Sequence, residues 1–232
     1  MELQDARCLI AGATGALGGL LARELVTAGA QVGLAGRDER RLAALGGELS
    51  APTARLELLE PDSPGRCVDE LAAALGGVDV LVVATGAVAF GPVGTLSAEV
   101  RRRLFEINVL GPMALIDAAL ERLSPDGAIV ALSAIVADHP TAGMAAYSSA
   151  KAALSAYVSA LRRERRRAGP TVLDVRPQHL DTGFESRPLA GGAPKLPAPG
   201  NAHEVAVAIV GALREDRREL AYDLRAQALV AA

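Results

Sequence analysis

A chain of 232 residues, 50% hydrophobic but only 3% aromatic and without tryptophan, suits one large α/β domain with an aliphatic core. Its net charge of −3 argues against a polyanionic partner, and the arginine clusters at 101–103 and 162–167 share helical patterns with Glu106 and Glu164, so they read as solvated faces rather than a nucleic-acid patch. The start MELQDARCLI is too acidic for a secretion signal, and no apolar run approaches the roughly 20 residues of a membrane helix. Cys8 and Cys67 match neither a metal spacing nor a redox pair, so the expectation is a cytoplasmic protein with reduced, packed thiols and no metal.

Residues 7–11 form a short apolar strand, followed by the turn GATGALGG at 12–19 and the helical run LLARELVTAGA. Strand, glycine turn and helix together make an anion site, because backbone N–H groups and the helix dipole converge there. The same pattern also serves as an ordinary tight connection. Gly12, Gly15 and Gly18 fall every third residue after the strand, and a second strand, 31–35, follows. At its end stand Gly36 and Arg37, where a ribose with a free 2′-hydroxyl would call for an acid and a 2′-phosphate for arginine. Arg37 points to NADP(H) by charge and paired donors. Asp38 keeps NAD open, although it can equally cap the next helix.

A third strand is expected at 54–58, leading through EPDSPG to a helix at 66–75. Residues 79–84 are nearly all apolar, as in a central strand covered on both faces, and end at Thr85, Gly86 and Ala87. Glycine at the carboxyl end of such a strand allows a ligand to approach the backbone. Ser97 then caps a long helical run reaching about Arg122. Within it, Pro112 lacks an N–H, which frees the Asn108 carbonyl to hold a water; a kinked helix with an exposed Asn is the plainer reading.

SPDG turns into a strand at 128–132 that ends at Ser133, placed to reach the same crevice. A loop at 134–143, with His139 and Pro140, leads to AAYSSAKAAL at 145–154. There Tyr147 and Lys151 are four residues apart in a helix-favouring run, so one turn brings them to one face. A neighbouring ammonium favours phenolate and would make Tyr147 a usable acid or base; alone, the pair also fits a core Tyr and a surface Lys. The run FESRPLAGGAPKLPAPGN gives no periodic signal, residues 203–214 return to helix, 219–222 suit a last strand, and AQALVAA is apolar, either buried at a subunit contact or frayed.

With these residues in view, the chain resembles the short-chain dehydrogenase/reductase family over roughly residues 3–225, most specifically in the interval from Ser133 to Tyr147, the YSSAK pentad and the NVLGP segment. The resemblance implies one Rossmann-type doubly wound domain over 1–232, with a mostly parallel, about seven-stranded sheet and a mobile substrate loop at 184–202. It implies Tyr147 as proton donor and acceptor, Ser133 as the group bonding the substrate oxygen, Lys151 lowering the tyrosine pKa and holding the ribose, and Asn108 holding a water. Gly12 and Gly18 match the cofactor loop, with Thr14, Gly15 and Leu17 as its neighbouring contacts. Arg37 matches the arginine of NADP-preferring members. Glu57 falls at the adenine contact, Leu58, Thr85 and Gly86 are further cofactor-binding positions, and Pro177 and Thr182 fall at the carboxamide and phosphate contacts.

The chain departs from the pattern at Ala11, Ala16, Glu57, Thr85 and Gln178, none of which is a reacting group. The implied activity is hydride exchange between NADP(H), with NAD(H) second, and a carbonyl or secondary alcohol. The pocket would be mainly apolar, lined by Ala134, His139, Met144 and the loop after Phe184. A non-redox dehydratase or cyclase and a non-catalytic NADP-binding scaffold are the alternatives. A homodimer or homotetramer through helices matching 97–122 and 145–168 is likewise implied.

Overall fold

The structure, a computed structural model, describes residues 1–231. Among these, β1 (Arg7–Ala11), β2 (Gln31–Gly36), β3 (Thr53–Arg55), β4 (Val78–Val83), β5 (Leu123–Leu132), β6 (Thr171–Arg176), β7 (Glu219–Asp223) and β8 (Ala228–Ala231) form one sheet in the order β3-β2-β1-β4-β5-β6-β7-β8. Every pairing is parallel except that of β7 with β8. Eight strands thus stand where about seven are expected. The added one is the apolar tail, which turns back on β7 as a mostly exposed edge strand instead of fraying.

The pleat explains the unbroken apolar runs. Cys8 and Ile10 face one core with α1 (Ala16–Thr27), α2 (Glu39–Leu49) and α7 (Ala202–Arg214). Leu9 and Ala11 face the other, with α3 (Ser63–Leu75), α5 (Gly111–Leu120) and α6 (Ala145–Glu164). The two cysteines are free and buried, one in each core, and burial pushes both thiols up to about 12. Among the described residues no helix is long and apolar enough to cross a membrane.

Several elements differ from expectation for local reasons. β3 is only three residues long, because the chain turns at once: Glu60 N–H bonds the Glu57 carbonyl at 3.1 Å. α3 starts at Ser63 rather than 66, with Pro64 in the first turn, where its missing N–H does no harm. β5 begins at Leu123, yet the SPDG turn survives inside it as a bulge, since Val78 pairs with Leu123 and Val80 with Ala128.

The long helix from Ser97 is three segments. Ser97 Oγ accepts the Val100 N–H at 3.2 Å and opens α4 (Ala98–Phe105); a π-helical turn, Glu106–Leu110, then joins it to α5. Gly111 N–H reaches back five residues to the Glu106 carbonyl, and Pro112 offers no donor to restore the usual step. Asn108 sits in the middle of this turn, fully buried.

The strand order reverses beside β1: β2 and β3 lie to one side, β4 and later strands to the other. In open α/β sheets this reversal leaves a crevice outside the strands' carboxyl ends.

Candidate active site

Just past β1 the chain turns at Gly12 with φ +89°, a conformation that side chains rarely tolerate. A Cβ there would lie 2.7 Å from the Ala84 carbonyl oxygen, so the turn is pressed onto the end of β4. Gly12 and Ala13 both donate to the Ala35 carbonyl at 2.9 Å, and Gly15 donates to the Gly12 carbonyl at 2.9 Å. α1 starts behind Gly15 with no side-chain cap, which leaves the first-turn N–H groups, including that of Leu17, without a side-chain acceptor. Such an end can take an anion. A Cβ at Gly18 would collide with the Gly12 carbonyl, so only glycine lets helix and turn approach this closely.

Thr14 packs on Gly36 at the end of β2, where a Cβ would stand 2.8 Å from Thr14 Cγ2. Arg37 follows, exposed, with no ion pair or side-chain hydrogen bond among the described residues. Asp38 is the cap of α2, accepting the Arg41 N–H at 3.0 Å. Glu57 accepts the Leu59 N–H at 3.2 Å, and Leu58 packs against Gly111. Thr85 Oγ1 is buried with no partner among the described residues.

The carboxyl half supplies side chains instead. The Asn108 amide donates to the carbonyls of Ala87 at 2.9 Å and Leu104 at 2.8 Å, and its oxygen accepts the Ala87 N–H at 3.2 Å. These bonds fix the backbone just past Gly86. A Cβ at Gly86 would lie 3.2 Å from Asn108 Oδ1, 3.5 Å from Lys151 Nζ and 3.9 Å from Phe184 Cζ, which shows how tightly the groups converge. Tyr147 and Lys151 rise from the first turns of α6 and are both buried. Lys151 Nζ donates to the Leu132 carbonyl at 2.7 Å.

Ser133 is next in the chain. Its hydroxyl donates to the carboxylate of Asp174 on β6, with the Val175 carbonyl at 3.4 Å. Burial raises the Tyr147 phenol above its ordinary value. Burial pushes Lys151 down to about 8, opposed by the Asp174 carboxylate.

A third apolar cluster closes over this edge. Val88, Ala89, Phe90, Val136, Met144 and Tyr147 pack together, with Ala134, Phe184, Leu189 and Leu196 against them. The Phe184 and Tyr147 rings lie 6.3 Å apart. Residues 184–202 are tied down by Leu189 N–H on the Val88 carbonyl (2.8 Å) and by Phe90 N–H on the Ala190 carbonyl (2.9 Å). Ala134 and Met144 line this cluster as expected, whereas His139 is exposed and stays outside it.

Pro177 joins the loops after β5 and β6, its carbonyl accepting Ile135 N–H at 2.9 Å, and Thr182 is held nearby by Arg187 on its carbonyl at 3.2 Å. Gln178, in place of glycine, lies against Gly200, where a Cβ would collide with its amide. Sequence reasoning passed over Asp174 and Phe90. The signal for Asp174 was present: a carboxylate in the middle of the apolar strand TVLDVR needs a reason.

Comparison with known proteins gives this arrangement its context. Residues 6–189 match the family model of the short chain dehydrogenases. The chain is 30% identical over 193 residues to dehydrogenase/reductase SDR family member 7B of Mus musculus, covering 78% of this chain and 60% of that protein. It spans about 60% of the length of the first curated relatives it matches. Among solved structures, a short chain dehydrogenase of Burkholderia cenocepacia in complex with NADP superposes with a TM-score of 0.82 at 26% identity, covering 92% of each chain. An enzyme of Burkholderia phymatum in complex with NAD gives a TM-score of 0.84 over 94% of this chain and 89% of that one; at 20% identity it supports the fold alone. Strand order, glycine turn and the Tyr147/Lys151 helix therefore share one explanation: the chain belongs to the short-chain dehydrogenase family.

Proposed function

We propose that this chain is an NADP(H)-dependent oxidoreductase exchanging a hydride between the nicotinamide and a mainly apolar carbonyl or secondary alcohol. The observation that carries the reading is convergence: Gly86, Asn108, Lys151 and the ring covering Tyr147 meet within 4 Å of one backbone point, at the same crevice as the uncapped start of α1. The residues present fit a dinucleotide. Gly12 and Gly18 leave no room for side chains, α1 offers open N–H groups to a diphosphate, and Thr85 Oγ1 is a buried hydroxyl lacking a partner. Arg37 would hold a 2′-phosphate, while the capping bond of Asp38 leaves it less suited to a 2′-hydroxyl.

In reduction, Tyr147 donates its proton to the substrate oxygen as charge accumulates there, which stabilises the transition state more than the ground state. Lys151 and Asn108, which meet beside Gly86, would return a proton to the phenol. The cluster of Val88, Phe90, Val136, Met144 and Phe184 excludes water from that oxygen and favours an apolar substrate.

The test has two arms. Paired titrations should give tighter binding of NADPH than NADH, and loss of a hydrophobic ketone or aldehyde should match NADPH oxidation one for one. Equal or reversed cofactor preference would overturn the Arg37 assignment. Conversion without NADPH oxidation would show a non-redox enzyme, and binding without any conversion across a broad carbonyl panel would show a scaffold.

A further inference from the structure

His179 stands just beyond β6, and both of its ring nitrogens face acceptors. Nδ1 lies 3.2 Å from the Pro197 carbonyl oxygen, and Nε2 lies 3.3 Å from Glu185 Oε2. Nε2 and Oε2 are sealed from solvent and have no other partner among the described residues. Neither a carbonyl nor an ionised carboxylate brings a proton, and a neutral imidazole carries only one N–H. The arrangement is therefore complete only when the ring holds a proton on each nitrogen. Glu185 is suited to face a cation: its own backbone N–H, then the His179 ring, hold its carboxyl below the ordinary value.

The two acceptors sit near opposite ends of the segment 184–202. Glu185 belongs to a single 3-10 turn, Phe184–Ser186, whose Phe184 ring covers Tyr147 and comes within 3.9 Å of a Cβ placed on Gly86. Pro197 lies close before Gly200, which donates to the His179 carbonyl at 2.8 Å. The middle of the segment is held by backbone alone: Leu189 and Ala190 bond Val88 and Phe90, and Gly191, at φ +73°, is pressed onto the Phe90 carbonyl. The middle thus has an anchor indifferent to pH, and the ends share a titratable one. The other charged groups on these segments are Asp181, which turns to the Ala202 N–H at 2.8 Å, Arg187, which bonds the Gly183 and Thr182 carbonyls at 3.2 Å each and bears on Glu185, and exposed Lys195. The loop after β5, which bonds Pro177, brings exposed His139 and Asp138, the latter paired with Arg176 at 2.8 Å.

We propose that His179 is a positioning residue for the substrate segment: its imidazolium ties Glu185 to Pro197, and by holding Glu185 it seats the Phe184 ring over Tyr147. Closure then takes up a proton, so the closed segment is favoured at low pH and released as pH rises and the ring loses its second proton. Histidine is the side chain whose charge changes between about pH 5 and 8, which sets the window. The consequence for catalysis rests on Tyr147 as the reacting group, so the main test reads the segment itself, without turnover.

Amide hydrogen exchange on the full chain, corrected for the intrinsic pH dependence of exchange, reads this directly. From about pH 5.5 to about pH 8, protection at Arg187 and Gly200 should fall about tenfold or more, the strength of one bond to a charged group, whereas Leu189 and Phe90 hold theirs. Glu185→Gln supplies an amide that can donate to an unprotonated Nε2, so in this variant protection should persist across the range. His179→Ala should be as open at the low end as the wild type is at the high end. A wild type equally protected throughout, a Gln variant that opens like the wild type, or an Ala variant that still responds to pH overturns the proposal, because a merely structural contact has no such dependence. With an apolar ketone, KM of the wild type should rise over the same range while that of Glu185→Gln does not; equal rises overturn the seating of Phe184. Failure of the redox reading would appear separately, as absent NADPH oxidation with the exchange pattern intact.

Discussion

The two halves of the crevice are built in opposite ways. The amino-terminal half is backbone: Gly12 and Gly18 keep side chains out, α1 lacks a side-chain cap, and Arg37 has no ion-pair partner among the described residues. The carboxyl half is side chain, with Asn108, Ser133 and Lys151 each already bonded inside the protein. One half waits with open donors; the other is pre-organised. The contrast teaches that affinity for cofactor and rate of chemistry should respond to different substitutions.

The largest expected effect breaks the chemical half alone. Tyr147→Phe removes the hydroxyl and should lower kcat by about 10²–10⁴-fold through loss of general acid catalysis, with NADPH affinity kept. Ser133→Ala should lose less in the reducing direction, roughly 3–10-fold, the worth of one ordinary hydrogen bond to the substrate oxygen. Steady-state kinetics on one ketone tests both, and a Ser133→Ala loss equal to that of Tyr147→Phe would show that Ser133 does more than bond that oxygen.

Next in size is the converse. Gly18→Ala gains about 1 kcal/mol of helix propensity but forces a Cβ onto the Gly12 carbonyl, an overpacking that costs roughly 1–3 kcal/mol. The glycine turn must retreat, so NADPH affinity should fall about tenfold or more while kcat at saturating cofactor stays within about threefold. Calorimetric titration beside kinetics separates the two; a matching fall in kcat would mean that the halves are mechanically coupled.

How much of this was legible follows the same division. A glycine turn is a steric statement, and sterics are local, so residues 12–18 and the strand before them could be read directly from letters. Asn108, Ser133, Tyr147 and Lys151 were legible as spacings, and the structure does bring them to one edge. Their protonation was not legible, because it depends on partners far along the chain. The Ser133 hydroxyl bonds a residue 41 positions away, and burial raises the Tyr147 phenol. The π turn at Glu106–Leu110 was half visible: Pro112 announced a missing donor, but where the slack would be absorbed depended on packing against Ala87.

The smallest effect tests whether the sheet's other end is independent of the crevice. At the amino ends of β1 and β4, Arg7 meets Asp79 through Nε at 2.8 Å and Nη2 at 2.8 Å, and its N–H also donates to that carboxylate at 2.9 Å. The Arg7 bond, more than any other contact, lowers the Asp79 carboxyl from 3.8 to about 2. A folded pKa below the unfolded one adds stability that is complete above about pH 4 and lost as pH falls through about 2. The pair is partly exposed, so Asp79→Asn should cost about 1–2 kcal/mol in urea unfolding at pH 7, a gap that narrows steadily below pH 4. NADPH affinity should not move, since the pair stands at the opposite ends of the strands that bear Gly12 and Thr85. A pH-independent gap would assign the loss to packing, and a weakened cofactor site would show that β1 and β4 transmit strain along their length.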